Sequence, residues 1–147
     1  MPRALALLLL LAPAALAAQT PAPRIRIVVY RLDATLKEAG DSVLARGVGR
    51  ALVRALNADS IFEVMDRPGA PRENAGPGAT AQYAVIGGVA ALGAQARVDL
   101  RVVDIANVRL LTRPSFLIPD RNADDALARA GEELAKQIHR HFAAARR

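Results

Sequence analysis

Few residues in this chain have the type and spacing that catalysis or metal binding requires. Its only histidines are His139 and His141. Two positions apart on a helix, they point to different faces, whereas a helical metal pair needs a spacing of three or four. Ser42, Ser60 and Ser115 stand in no G-x-S-x-G elbow and have no histidine close in sequence. Gly47-Val48-Gly49 lacks the third glycine of a dinucleotide fingerprint and falls inside a helical pattern, not at a strand-to-helix turn. There is no phosphate-binding loop. Asp66, Asp99 and Asp104 lie near strand ends, where isolated acids serve as turn caps and cross-strand charge partners, and no spacing singles out two of them as a carboxylate pair. The expectation is a non-catalytic chain with no catalytic residue, no metal and no cofactor.

The alternative to chemistry is binding, and the charges direct where to look. The 147 residues carry a net charge of +6, and Lys37 and Lys136 are the only lysines among 20 basic side chains. Arg46, Arg50 and Arg54 recur every four residues on one helical face. Arg97, Asp99 and Arg101 alternate along a strand. These six are the candidate partner surface. A basic balance can mean a polyanionic partner, but no Lys/Arg block is interleaved with aromatics as nucleic-acid binders usually show. No nucleic acid is expected.

The elements that must hold these residues can be read in order. Met1-Pro2-Arg3 is a basic start, Ala4 to Ala12 an unbroken apolar run, and Ala15-Leu16-Ala17 places small residues two apart. That is the layout of a secretory signal peptide, cleaved after Ala17 or Ala18. The run is too short to span a bilayer, and no transmembrane segment follows. Residues 18–23 form a flexible lead, and 24–145 a single domain. Without cysteine, an exported domain must rest on its core. With Tyr30, Phe62, Tyr83, Phe116 and Phe142 as the only aromatics, that core is built from aliphatic residues.

Residues 24–30 read as a central strand and 36–58 as a helix with Leu44, Val48, Ala51, Leu52 and Ala55 on one face. Asp41 or Ser42 is its expected cap. Gly40, Gly47 and Gly49 would let it sit close on a sheet. Residues 60–66 are a second strand, completing a right-handed βαβ unit. The Pro- and Gly-broken stretch 67–80 reads as a mobile loop. Tyr83 to Leu92 is a third strand whose Gly87-Gly88 marks a bulge or close backbone approach. Residues 97–102 alternate without a fault, so one face of this fourth strand meets water. Residues 108–118 form a fifth strand that Pro114 confines to a sheet edge. Asn122 to Ala145 is the last helix, with Leu127, Gly131, Leu134, Ile138 and Phe142 buried, Asn122 capping, Asp124 and Asp125 in its first turn and arginines toward its end.

Several stretches resemble a known group. Ile61-Phe62-Glu63-Val64-Met65-Asp66-Arg67 is similar to the "F-x-V-x-D-R" strand end of the TolB amino-terminal and CsgG/FlgO-like envelope proteins. Ala81 to Val89 resembles their "A-D-Y-V-x-x-G-x-V" strand, with Gln82 where Asp is usual. Arg97 to Asp104 resembles "R-V-x-V-x-L-V-D", and Leu117-Ile118-Pro119 resembles the end of the TolB amino-terminal domain. The family's Thr-Gly turn is Asn107-Val108 here, its helix over 67–80 is replaced by loop, and no propeller follows. The resemblance implies an α/β fold with a mixed five-stranded sheet, order 2-1-3-4-5, strand 4 antiparallel, and two main helices, as in anticodon-binding domains. It implies a periplasmic protein–protein interaction module with envelope protein partners, associated with the outer membrane only through a partner. The alternatives are an accessory factor for outer-membrane assembly or peptidoglycan synthesis (CsgG/FlgO/LpoB-like), and a binder of an anionic ligand. Right-handed crossovers in opposite directions further predict that the last helix covers one sheet face largely alone, leaving the sheet near Arg97, Asp99 and Arg101 open.

Overall fold

A computed structural model describes residues 22–34, 39–67 and 81–146. The expected leader (1–17), most of the lead, the start of the first helix and the loop at 68–80 lie outside the described residues. The elements are β1 (Ile25–Tyr30), β2 (Asp33–Ala34), α1 (Ala39–Asn57), β3 (Phe62–Arg67), β4 (Tyr83–Leu92), β5 (Gln95–Asp104), β6 (Arg109–Thr112), β7 (Ser115–Ile118) and α2 (Ala126–Ala145).

The sheet runs β3-β1-β4-β5-β6, with β7 continuing the β6 edge along β5 and β2 lying beside β4. β1 is parallel to both β3 and β4, and β5 is antiparallel to β4, β6 and β7. With β6 and β7 read as one interrupted strand, this is the order 2-1-3-4-5 with strand 4 antiparallel. β1 is apolar on both faces because it is central: Ile27 and Val29 are buried on one side and Val28 on the other.

The interruption comes at Pro114. Its carbonyl accepts the Leu100 N–H at 2.8 Å, but the ring nitrogen can donate nothing in return. The register nevertheless holds across it, from Val102↔Thr112 to Asp99↔Ser115. The irregularity lies instead between Val102 and Val103, where Leu111 is the extra residue of a bulge. Gly87 and Gly88 make no bulge, since the β4–β5 register is unbroken. The close approach is real at Gly87: a Cβ there would come within 2.2 Å of the Asp99 carbonyl oxygen.

Two expectations about the helices are corrected. The last helix does not cover a face alone. α1 and α2 lie side by side on the same face, in one core with Val98, Leu100 and Val102 of β5. The physical reason is β5 itself, whose only apolar face is that one, so the α2 stripe of Leu134, Ile138 and Phe142 could be buried nowhere else. Of the three α1 glycines, Gly40 has nothing within 4 Å of an added Cβ, Gly49 would meet Leu32 after β1 at 3.8 Å, and Gly47, with Gly131 of α2, brings helix to helix rather than helix to sheet. A Cβ on Gly131 would lie 2.5 Å from the Ala51 carbonyl carbon, and one on Gly47 would meet the Leu127 side chain at 2.6 Å.

The helix starts also differ. Asp41 does not cap α1: it sits inside the first turn, buried, with its carboxylate 3.6 Å from an Arg121 guanidinium nitrogen and no hydrogen bond to either oxygen. Asn122 does not cap α2. Asp120 bonds the Asn122 N–H at 3.0 Å, and turns from Asp120 to Ala123 and Ala123 to Ala126 delay the helix to Ala126. Asp124 and Asp125 therefore precede the first turn, and no basic residue falls in the last. Leu127 is half-buried against the core rather than within it.

Candidate interaction surface

The six candidate residues fall into two patches that the fold separates. Arg46, Arg50 and Arg54 are exposed on α1, on the helix-covered side. Arg46 and Arg50 border a cleft of about 200 Å³ with Tyr30 and Arg31 at the end of β1. Arg54 lines a different depression, between α1 and α2. The stripe advances about 40° per four residues on a helix of 3.6 residues per turn, so it winds from one neighbour to the other. None of the three makes an ion pair among the described residues.

Arg97, Asp99 and Arg101 project from the opposite face of the sheet, where no helix lies among the described residues. The strict alternation of β5 puts them there: Val98, Leu100 and Val102 are completely buried beneath the helices, and their neighbours in sequence are exposed. Arg97 Nε bonds both Asp99 oxygens, at 3.0 and 2.9 Å. Arg101 makes no ion pair among the described residues. The register that pairs Val102 with Thr112 and Asp99 with Ser115 sets Arg101 opposite Arg113, which likewise makes none among them. Like charges directly opposed destabilise a sheet. Both arginines, with Asp33, Gly88 and Ser115, line an open cleft of about 690 Å³.

The depression between the helices, about 830 Å³, is floored by Ala51, Ala55, Ala128 and Ala135. At its end His139 Nδ1 lies 2.5 Å from an Asp59 oxygen, joining α2 to the turn after α1. His141 stands edge-on to Phe142 instead, so the two histidines do diverge. The Asp59–His139 contact spans 80 residues, and no local pattern could have signalled it. Asp59 also accepts the Ile61 N–H at 3.1 Å, which shapes the turn into β3.

The β5–β6 hairpin carries the remaining feature. Asp104 accepts the Asn107 side-chain N–H at 2.8 Å and its backbone N–H at 3.1 Å. These bonds, the side-chain one foremost, hold the Asp104 carboxyl below its ordinary value. Val108 then takes a left-handed φ of +49° while fully presented to solvent. Where the resembling sequences place glycine, a β-branched residue holds a conformation it rarely adopts. No group of three metal-capable side chains occurs among the described residues.

No family model matches the sequence, and no curated protein is significantly similar to it. Solved structures are similar in fold. TolB from Acinetobacter baumannii superposes with a TM-score of 0.58 at 16% identity, over 85% of this chain and 30% of that one. The domain is TolB-like in fold. The PelC dodecamer of Paraburkholderia phytofirmans superposes with a TM-score of 0.53 in two crystal forms, at 13% and 14% identity, over 76% of this chain and 89% and 88% of PelC. The TolB-like domain thus spans under a third of TolB but matches nearly the whole length of PelC. No helix among the described residues is long and apolar enough to cross a membrane.

Proposed function

We propose that this TolB-like domain is a non-catalytic protein–protein interaction module of the bacterial cell envelope, exported to the periplasm by the leader at 1–17. The observation that carries the reading is the sheet face opposite the helices. It presents an ordered row of charges on one strand, with two opposed arginines that make no ion pair among the described residues. Such a face is suited to a partner that supplies the missing charge. The leader, the resemblance to TolB and CsgG/FlgO-like envelope proteins, and the fold shared with TolB support the compartment. A role as accessory factor in outer-membrane assembly or peptidoglycan synthesis is a special case of the same reading.

The test is site-specific photo-crosslinking in cells from Arg101 on the open face and from Arg50 on α1. A reproducible envelope protein joined through either position is the expected result. Recovery of the chain in the cytosol with its leader intact, or no envelope partner from either position, would overturn the reading.

Binding of an anionic ligand is favoured by one observation, the cluster of Arg31, Arg46 and Arg50 around a small cleft. Affinity for such a ligand falls steeply with salt, and salt-independent binding would remove this alternative.

A further inference from the structure

The outer edge of the sheet is occupied at one point by a side chain that imitates a strand. Leu100 donates to the Pro114 carbonyl, so residues 100 and 114 are a hydrogen-bonded pair. By the alternation of an antiparallel ladder, the flanking residues Arg113, Ser115 and Leu117 turn their N–H and C=O groups away from β5. At Ser115 both groups are met by α2. The Gln137 carboxamide accepts the Ser115 N–H at 3.1 Å and donates to the Ser115 carbonyl at 2.9 Å. A carboxamide is chemically a peptide group, and this pair of bonds is the one an added strand would make.

Two further features of the edge bear on what it would accept. Leu117, the next outward residue, is half-exposed on the open face. Arg113 and Arg101 stand opposed on that face, and neither makes an ion pair among the described residues. Sheet edges are normally protected from pairing, yet among the described residues only the Ser115 position is met by another group, a side chain held through two displaceable bonds.

We infer that the β6–β7 edge is a strand-addition site for an extended acidic peptide segment of a partner protein. Its backbone displaces Gln137 from Ser115 and pairs along Arg113 to Leu117. An acidic side chain lies beside Arg113 and reaches over it toward Arg101, and an apolar one four residues along covers Leu117. This gives affinity through main-chain bonds and specificity through alternate side chains. The inference deepens the interaction-module reading and rests on it for the existence of a protein partner.

The experiment uses the purified mature chain and two synthetic nonapeptides, one with a central Glu, Val four positions to either side and Thr elsewhere, so that charge and apolar side chain share one strand face, and one with Lys in place of the Glu. Binding is read by fluorescence anisotropy, and the edge is read by amide hydrogen exchange. The Glu peptide is expected to bind saturably and to slow exchange at Arg113 and Leu117, while the Lys peptide does not bind. Arg113→Glu should weaken binding by about tenfold or more, equivalent to about 1.4 kcal/mol. Leu117→Pro, which removes an outward donor together with the leucine side chain, should abolish it while the fold persists by circular dichroism, and Leu117→Ala, which keeps the donor, should only weaken it. Gln137→Ala should tighten it about three- to tenfold by removing the competitor; a merely structural Gln137 would give no tightening. The inference is overturned by no saturable binding to wild type and Gln137→Ala, by equal binding of the Lys peptide, or by binding that leaves exchange at Arg113 and Leu117 unchanged. If crosslinking finds an envelope partner while the peptide fails, the edge assignment falls alone. If the peptide binds and no envelope partner exists, the assignment stands and the functional reading falls.

Discussion

The two faces of β5 are built from adjacent residues and answer to opposite demands. On one, Val98, Leu100 and Val102 vanish beneath α1 and α2. On the other, Arg97, Asp99 and Arg101 stand in solvent, and among the described residues only the first two are paired. Because successive side chains alternate by geometry, a single strand fixes the core and displays the charges at once. The covered face is redundant in its contacts and intolerant of change. The three side chains on the open face are hydrated rather than packed, which leaves them free to serve recognition.

The sharpest way to break this contrast is to truncate neighbours on the strand. Leu100→Ala removes a fully buried side chain from the middle of the core and should cost about 3 kcal/mol, counting the cavity left behind. Arg101→Ala should change stability by no more than about 0.5 kcal/mol. Urea unfolding of the two variants measures both. Equal losses would mean that the open face is structural and the division false.

A second contrast lies in the seam between the helices. Gly131→Ala drives a methyl group into the Ala51 and Leu52 backbone, which cannot yield as a side chain tip could. It should cost about 1–3 kcal/mol. Gly40→Ala, with nothing within 4 Å of the added carbon, should stabilise α1 by about 0.5–1 kcal/mol. Shifts in the urea midpoint decide the signs. If both variants destabilise, the helix-to-helix approach is not what Gly131 secures.

How much of this was legible depends on the range of the interaction. The alternation of residues 97–102 announced one wet and one buried face, and Pro114 announced an edge, because both are local consequences of backbone geometry. The resemblance supplied the strand order. Crossover handedness points α2 to the wrong side, whereas the alternation contains the answer: β5 offers one apolar face, and both helices share it. What stayed hidden joins distant positions. Gln137 meets Ser115 across 22 residues and His139 meets Asp59 across 80, and neither leaves a periodic trace. Asp41 and Asn122 were misread as caps because their residue types fit, whereas burial against Arg121 and the Asp120 turn decide where they sit.

The hairpin tip sharpens the comparison from the open side. Val108 is both strained and exposed, so the core gives it no compensation. Val108→Gly should relieve the left-handed conformation and raise stability by about 1 kcal/mol, net of the greater freedom glycine has when unfolded. Thermal melts measure the gain. A loss would show that the valine side chain contributes a contact worth more than its strain.

The smallest effect belongs to the carboxylate that shapes that turn. Hydrogen bonds from the Asn107 side chain and then its backbone lower the Asp104 titration point in the folded chain. A depressed folded-state value means the charged form favours the fold. The contribution is therefore present above the unfolded titration point and disappears as pH falls through the folded one. Asn107→Ala removes the largest cause and should move the Asp104 carboxyl resonance upward in an NMR pH titration, toward that of a free aspartate. Stability at neutral pH should drop slightly, and the variant and wild type should converge in acid once Asp104 is protonated in both. A titration point unmoved by Asn107→Ala would show that the backbone N–H groups alone hold the turn. The hairpin geometry, including the strained Val108, would then be set by the β5–β6 ladder rather than by the side chains at its tip.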